Sequence, residues 1–188
     1  MENERRKQGV FYIAKGGNGN QMEFTLRPWQ QRDCHQLCRY ANNEKIAANL
    51  QDGFPYPYRL ADAEAYIAYA RQADPEREMI YAIVVANQAV GSISVQCQQD
   101  VHCKTAALGY WLGEPFWGNG IMSAAVKRVS QLAFETFDIC RIFAEIYSHN
   151  IASRRVVEKA GYQMEGLLRR NIYKNGAVFD SCIYALVR

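Results

Sequence analysis

Apolar and polar positions alternate along some stretches of the chain and recur at helical spacing along others, which distinguishes strands from helices. Strand-like stretches bounded by turn residues are found at 22–27, 79–85, 89–97, 105–112, 139–147, 163–172 and 177–187. Helical spacing is found within 31–49 and at 60–70, 122–133 and 152–160. The order β-α-α-β-β-β-α-β-α-β-β predicts an α/β (α+β) fold with a mixed, mostly antiparallel sheet and helices on both faces.

Glycine and asparagine fill residues 16–20, which is typical of a loop or linker. We therefore predict that residues 1–21 form an N-terminal extension and that residues 22–188 form a single domain, long enough for one sizeable core. Short turns are predicted at Asn87-Gln88 and at Lys174-Asn175-Gly176, so the strands on either side of each turn should form hairpins.

Charge and hydropathy argue against several classes of protein. The net charge is only +3 at pH 7 and no long basic block is present, so we expect no nucleic-acid partner. No apolar run approaches the roughly 18 residues that span a bilayer, and the first residues lack the apolar centre of a secretory signal. We therefore expect a cytoplasmic protein without a membrane partner. The six cysteines form no CxxC pair, so we expect reduced thiols and no metal site.

The segment 110–122 contains the first candidate binding site. A predicted strand ends there, Gly118 and Gly120 follow, and a predicted helix begins. The unpaired N–H groups and positive dipole at a helix start attract phosphate, and glycine lets a phosphate approach the backbone. A tight turn between strand and helix would give the same pattern, so this segment alone leaves both interpretations open. It matches neither a dinucleotide fingerprint nor a P-loop.

A second junction of the same kind follows the strand at 139–147. Asn150 stands where the strand gives way to a helix, and Ser153 lies in the first helical turn. Both residue types are favoured caps of helix N-termini, so capping is an alternative to a role in binding or chemistry.

Together these junctions resemble the GNAT superfamily of N-acetyltransferases, and within it the RimJ/RimL-like branch that acetylates the N-termini of ribosomal proteins. The resemblance covers residues 22–188. It is carried by the segments 26–29, 52–58, 109–112, 117–121, 150–162 and 173–180. It implies a GNAT-like fold and an acyltransferase that takes acetyl-CoA as donor, without a metal.

The resemblance also implies a role for each matching position. The strand through Tyr110, Trp111 and Leu112 would diverge from its neighbour and pair with the pantetheine arm of CoA, which Asn150 would also bind. Ser153 would lie near the thioester sulfur and protonate the leaving thiolate, with Tyr147 and Tyr173 as alternatives. The pyrophosphate would be held by the backbone amides of Trp117, Gly118, Asn119, Gly120, Ile121 and Met122.

The sequence departs from the family pattern at the expected general base, because Ala107 occupies the position where related chains often carry Glu. Glu145 and His149 are the substitutes we consider. A free α-amine titrates near pH 8, so making it neutral at pH 7 costs about 1 kcal/mol, against about 4.6 kcal/mol for a lysine side chain. The missing Glu therefore favours an α-amine or another amine of low pKa.

The acceptor and the assembly state remain open at this stage. Phe54, Tyr56 and Tyr58 in the proline-containing loop, together with Tyr173, are predicted to line the acceptor pocket, although the loop aromatics could instead cover the core. The acceptor could be a protein N-terminus or a small-molecule amine. The chain could also be an inactive CoA-binding module, and it could be a monomer or a homodimer.

Overall fold

The computed structural model describes residues 10–15 and 21–188, with side chains from residue 22 onward. Its strands form one sheet of eight strands. They are β1 (Val10–Lys15), β2 (Gln21–Arg27), β3 (Glu78–Val85), β4 (Gln88–Cys97), β5 (Thr105–Leu112), β6 (Arg141–Tyr147), β7 (Gln163–Lys174) and β8 (Ala177–Val187).

The helices of the described residues lie between these strands in the predicted positions. They are α1 (Cys34–Ala41), α2 (Glu44–Ala47), α3 (Leu60–Gln72), α4 (Ile121–Thr136) and α5 (Ile151–Lys159). None of these helices combines the length and apolarity needed to cross a membrane.

The strand order in the sheet is β1-β2-β3-β4-β5-β6-β8-β7. The neighbours β5 and β6 are parallel, whereas the other neighbouring strands run antiparallel. The mixed, mostly antiparallel sheet predicted from the sequence is therefore confirmed.

Each face of the sheet carries its own apolar cluster, because successive strand residues point to opposite faces. On one face, which we call the α4 face, residues such as Ile83, Ile93 and Ile142 pack with α4 and with Val157 of α5. The opposite face, the α1 face, packs Ile80 and other apolar residues against α1 and α3. Helices thus cover both faces, as predicted.

The first strand lies in the segment that we expected to precede the folded domain. β1 pairs antiparallel with β2, from Val10 opposite Leu26 to Lys15 opposite Gln21. The sheet therefore begins at Val10 rather than at residue 22, because the sequence VFYIAK is itself a good strand former. Residues 1–9 and 16–20 lie outside the described part of the chain.

The turn between β3 and β4 is displaced by one residue from its predicted place. The residues with positive φ are Ala86 (46°) and Asn87 (64°), and Gln88 already belongs to β4. The Asn175-Gly176 turn between β7 and β8 has positive φ at both residues, at 51° and 79°, as a two-residue hairpin turn requires.

Candidate functional site

The parallel strands β5 and β6 separate near the middle of the sheet. Their pairing runs from Thr105 opposite Arg141 to Ala107 opposite Phe143 and stops there. Both strands continue beyond that point, β5 to Leu112 and β6 to Tyr147. A gap therefore opens between two adjacent strands of the sheet, as the resemblance implied.

Backbone groups of β5 face this gap. Gly113 N donates to Val90 O of β4 at 2.7 Å, and N–H and C=O groups alternate between the two sides of a strand. The amide groups of Tyr110 and Leu112 therefore point away from β4 and toward β6, where the pairing has ended. Leu112 O accepts a hydrogen bond from the Trp117 indole Nε1 at 2.6 Å, so its N–H is the group left facing the gap.

The loop between β5 and α4 is tightly folded. Phe116 N donates to Gly113 O at 3.0 Å, and Trp117 N donates to Glu114 O at 3.1 Å. The Trp117 amide, which we expected to bind phosphate, is therefore already used within the loop. The Asn119 side chain donates to Phe116 O and Trp117 O at 3.2 and 3.1 Å, so it stabilises the loop conformation.

The remaining expected amides begin helix α4. Gly118 and Gly120 have φ of 77° and 75°, values that favour glycine. No side chain caps the helix, and the carbonyl of Gly120 accepts from Ala124 N at 3.1 Å. The N–H groups of the first turn, including those of Ile121 and Met122, thus have no acceptor within the helix. The side chains of these two residues are buried in the core and fix the helix against the sheet.

The N-terminus of α5 lies across the gap from β5. The Asn150 side chain accepts a hydrogen bond from Ser153 N at 3.1 Å, so the expected capping role is present. The Ser153 hydroxyl lies 2.7 Å from the phenol oxygen of Tyr110, which is 3.1 Å from Ser153 O. Burial raises the pKa of Tyr110 to about 12, although the hydrogen bond with Ser153 acts in the opposite direction.

Glu145 points to the α1 face of the sheet at the same gap. Its Oε1 accepts hydrogen bonds from Asn171 Nδ2 at 2.6 Å and from Ser181 Oγ at 2.7 Å. Its side chain is otherwise exposed. An oriented carboxylate with one open side is suited to accept a proton from an incoming group.

Tyr147 is buried, whereas His149 is exposed. Burial raises the pKa of Tyr147, and the charges of Asp52 and Glu145 add to that shift. Its hydroxyl donates to Leu50 O at 3.2 Å. The exposed His149 ring packs against the rings of Tyr147 and Phe179, with centroid distances of 5.9 and 4.9 Å. The structure thus gives Tyr147 a role in positioning the loop that begins at Leu50.

The aromatic loop divides into a buried and an open part. Tyr58 is only 5% exposed and belongs to the core of the α1 face, so it covers the core rather than lining a pocket. Phe54 is half-buried and packs on Tyr58 and on Trp111 of β5, with centroid distances of 5.0 and 5.7 Å. Tyr56 is 53% exposed beside it.

A salt bridge joins this loop to the β7–β8 hairpin. Lys174, almost fully buried, donates to Asp52 Oδ1 at 2.7 Å. The neighbouring Tyr173, which we predicted to line the acceptor pocket, has a side chain that is 72% exposed.

Sequence reasoning did not predict four side-chain contacts of the site: Tyr110 with Ser153, Asn171 and Ser181 with Glu145, and Lys174 with Asp52. Each of these contacts joins residues that are distant in sequence, so it follows only from the way the strands, helices and loops pack together. Asn171 lies in an irregular part of β7, where the pairing shifts between Leu168 and Ile172. The alternation of apolar and polar residues along β7 therefore did not predict that Asn171 contacts Glu145.

Comparison with known proteins gives a consistent result. The family model described as an acetyltransferase (GNAT) domain matches residues 23–163. The uncharacterized N-acetyltransferase YoaA of Bacillus subtilis (strain 168) is 32% identical over 101 residues, which cover 54% of this chain and 56% of that protein. The ribosomal-protein-serine acetyltransferase of Escherichia coli (strain K12) is 28% identical over 57% of this chain and 60% of that protein. The chain thus spans little more than half the length of these curated relatives.

Among solved structures, the Microcin C7 self immunity acetyltransferase MccE, in complex with acetyl-CoA and AMP, superposes with a TM-score of 0.76. It is 25% identical to this chain, and the match covers 88% of this chain and 92% of MccE. The overall fold described above is therefore shared nearly from end to end.

Proposed function

Because the chain belongs to the GNAT family of acetyltransferases, we propose that it transfers an acetyl group from acetyl-CoA to a primary amine, with the α-amine of a protein N-terminus as its preferred acceptor. The observation that carries this proposal is the end of β5–β6 pairing at Ala107 and Phe143, beside the uncapped start of α4. The gap would hold the extended pantetheine arm of CoA, and the uncapped helix start would bind its pyrophosphate.

The donor is proposed to bind along β5. The pantetheine arm would pair with the backbone of Tyr110 and Leu112 as an added strand would, since these groups face the gap. The pyrophosphate would accept hydrogen bonds from the backbone amides between Gly118 and Met122, at and just before the start of α4. Asn150 uses its side-chain oxygen as a cap, which leaves its Nδ2 to donate to the pantetheine arm.

The acetyl carbonyl would be polarised by the N–H of Leu112. A fixed backbone donor stabilises the negative oxygen that develops when the amine attacks, and it needs no reorganisation to do so. The C–S bond then breaks with its electron pair on sulfur, and the Ser153 hydroxyl donates a hydrogen bond to the resulting thiolate. Ser153 lies in the first turn of α5, next to the open end of the gap.

The acceptor is proposed to approach from the α1 face, where Glu145, Phe54 and Tyr56 lie. Glu145 would take the proton that the attacking amine loses. Because an α-amine is partly neutral at pH 7, this exposed carboxylate is sufficient, whereas a lysine side chain would need a stronger base. The relation to a ribosomal-protein-serine acetyltransferase supports a peptide acceptor.

An acceptor screen tests this proposal. Thiol release from acetyl-CoA is measured with peptides that carry a free N-terminus and no lysine, with Nα-blocked peptides that carry one lysine, and with small amines. Each product is checked by mass spectrometry. We expect the free N-termini to be acetylated fastest.

Two other outcomes would contradict the proposal in different ways. Faster acetylation of a small amine would support the acetyltransferase activity but contradict the peptide acceptor. Tight CoA binding in calorimetry without turnover of any amine would instead identify an inactive binding module.

A further inference from the structure

The Tyr110 side chain joins the two elements that border the gap. It extends from β5, beyond the last paired residue Ala107, to the first turn of α5. Its phenol oxygen lies 2.7 Å from Ser153 Oγ and 3.1 Å from Ser153 O. Neither β5 nor α5 needs this contact to satisfy its own backbone, because the Ser153 amide is already bonded to Asn150.

The phenol of Tyr110 stays protonated at this place. Tyr110 packs against the core of the α4 face, and this burial raises its pKa, so that the group keeps its proton at neutral and mildly alkaline pH. A tyrosine hydroxyl has one proton to donate. Ser153 O, at 3.1 Å, can only accept that proton, whereas Ser153 Oγ, at 2.7 Å, can either accept it or donate its own.

We propose that Tyr110 is a positioning residue that donates to Ser153 Oγ and thereby turns the Ser153 proton toward the thiolate of CoA. This inference rests on the proposed function of Ser153. A hydroxyl that accepts one hydrogen bond becomes a better donor of its own proton. No proton needs to leave Tyr110 or Ser153: the amine's proton goes to Glu145 or water, and the thiolate is stabilised by hydrogen bonding until solvent protonates it.

The first test is a double-mutant cycle on the full chain. Tyr110→Phe keeps the ring and removes only the hydroxyl, and Ser153→Ala removes its partner. We expect Tyr110→Phe to lower kcat by about fivefold to tenfold, with KM for acetyl-CoA nearly unchanged. The variant loses the hydrogen bond that orients the Ser153 hydroxyl toward the negatively charged thiolate. In the Ser153→Ala background the same change should have almost no further effect.

A matched control is available in Tyr162, whose hydroxyl lies 2.7 Å from Ser130 Oγ in the buried core and pairs with that serine rather than with Ser153. Tyr162→Phe removes an equivalent Tyr–Ser contact, so kcat should stay near that of the unmodified chain. An equal loss in Tyr162→Phe, or a Tyr110→Phe loss that persists undiminished in Ser153→Ala, would overturn the inference.

The second test needs no acceptor and so separates this inference from the proposed function. The thiolate fraction of bound CoA is measured by ultraviolet absorbance at about pH 8.5, near the ordinary pKa of a thiol. Tyr110→Phe should lower that fraction to the level of Ser153→Ala. A fraction unchanged by Tyr110→Phe would overturn the inference even in an active enzyme. A chain that binds CoA but acetylates no amine would overturn the proposed function alone.

Discussion

At the residue scale, the groups that face the gap differ in how many of their hydrogen bonds are already made. The Trp117 amide and the Asn119 side chain hold the loop itself together. The amides of the first turn of α4 have no acceptor within the helix, and we propose that they bind the pyrophosphate. This division could not be predicted from sequence, because residue types alone do not show which backbone amides the loop uses for its own hydrogen bonds. It arises from the single turn at Glu114–Phe116, which uses up the amide of Trp117.

A negative charge introduced at Gly120 tests the proposed anion site directly. Gly120→Asp places a carboxylate at the uncapped start of α4, where the helix dipole favours it. The variant should therefore fold, but its carboxylate occupies the anion site and repels the pyrophosphate. We expect the dissociation constant for CoA, measured by calorimetry, to rise at least about tenfold, which corresponds to about 1.4 kcal/mol.

Gly120→Asn is the matched control, since it has the same shape and the same strain at a φ of 75° but no charge. It should bind CoA more tightly than the Asp variant. Equal affinities for the two variants would mean that no phosphate group lies near this helix start.

At the element scale, strands and helices with clear periodicity were predicted correctly, and the errors lie at chain segments with mixed signals. β1 was missed because the Gly/Asn cluster at 16–20 was interpreted as a linker, although the six residues of β1 have strand character. The turn between β3 and β4 was misplaced because Ala86 is an unfavourable residue for positive φ and gave no turn signal. The register of that hairpin is set by the buried faces of its strands, and the turn follows from it.

The strained turn predicts a stabilising substitution. Ala86 has φ of 46°, where an L-residue with a Cβ atom is disfavoured. Ala86→Gly should therefore raise the free energy of unfolding by about 0.5–1 kcal/mol, measured by urea denaturation. The same change at Ala68, exposed in the middle of α3, should lower it by about 1 kcal/mol. A loss of stability at both positions would show that the turn is not strained.

At the scale of the whole molecule, the fold holds several tyrosine hydroxyls inside two apolar layers. Burial is the main cause that raises the pKa of Tyr58, Tyr66, Tyr110 and Tyr162. Tyr58 and Tyr66 contribute to the α1 face, and Tyr110 and Tyr162 to the α4 face. Both layers are therefore sensitive to the same chemical change, ionisation of a phenol. The sequence showed only that the chain contains 12 tyrosines, since which of them are buried depends on strand order.

This arrangement predicts a loss of stability at alkaline pH. The folded pKa of these tyrosines exceeds the unfolded value near 10, so above pH 10 the folded chain holds more protons than the unfolded chain. Stability from these groups is fully present below about pH 10 and falls as pH rises further, by about 1.4 kcal/mol per pH unit for each buried phenol. Tyr162→Phe removes one buried phenol. When urea unfolding is followed from about pH 9.5 to 11.5, the free energy of unfolding of this variant should therefore fall less steeply with pH, by about 1.4 kcal/mol per pH unit. Tyr173→Phe, at a side chain that is 72% exposed, should leave the slope as it is. Because lysines and cysteines titrate alike in both variants, the difference between the two slopes isolates the buried phenol, and identical slopes would contradict its burial.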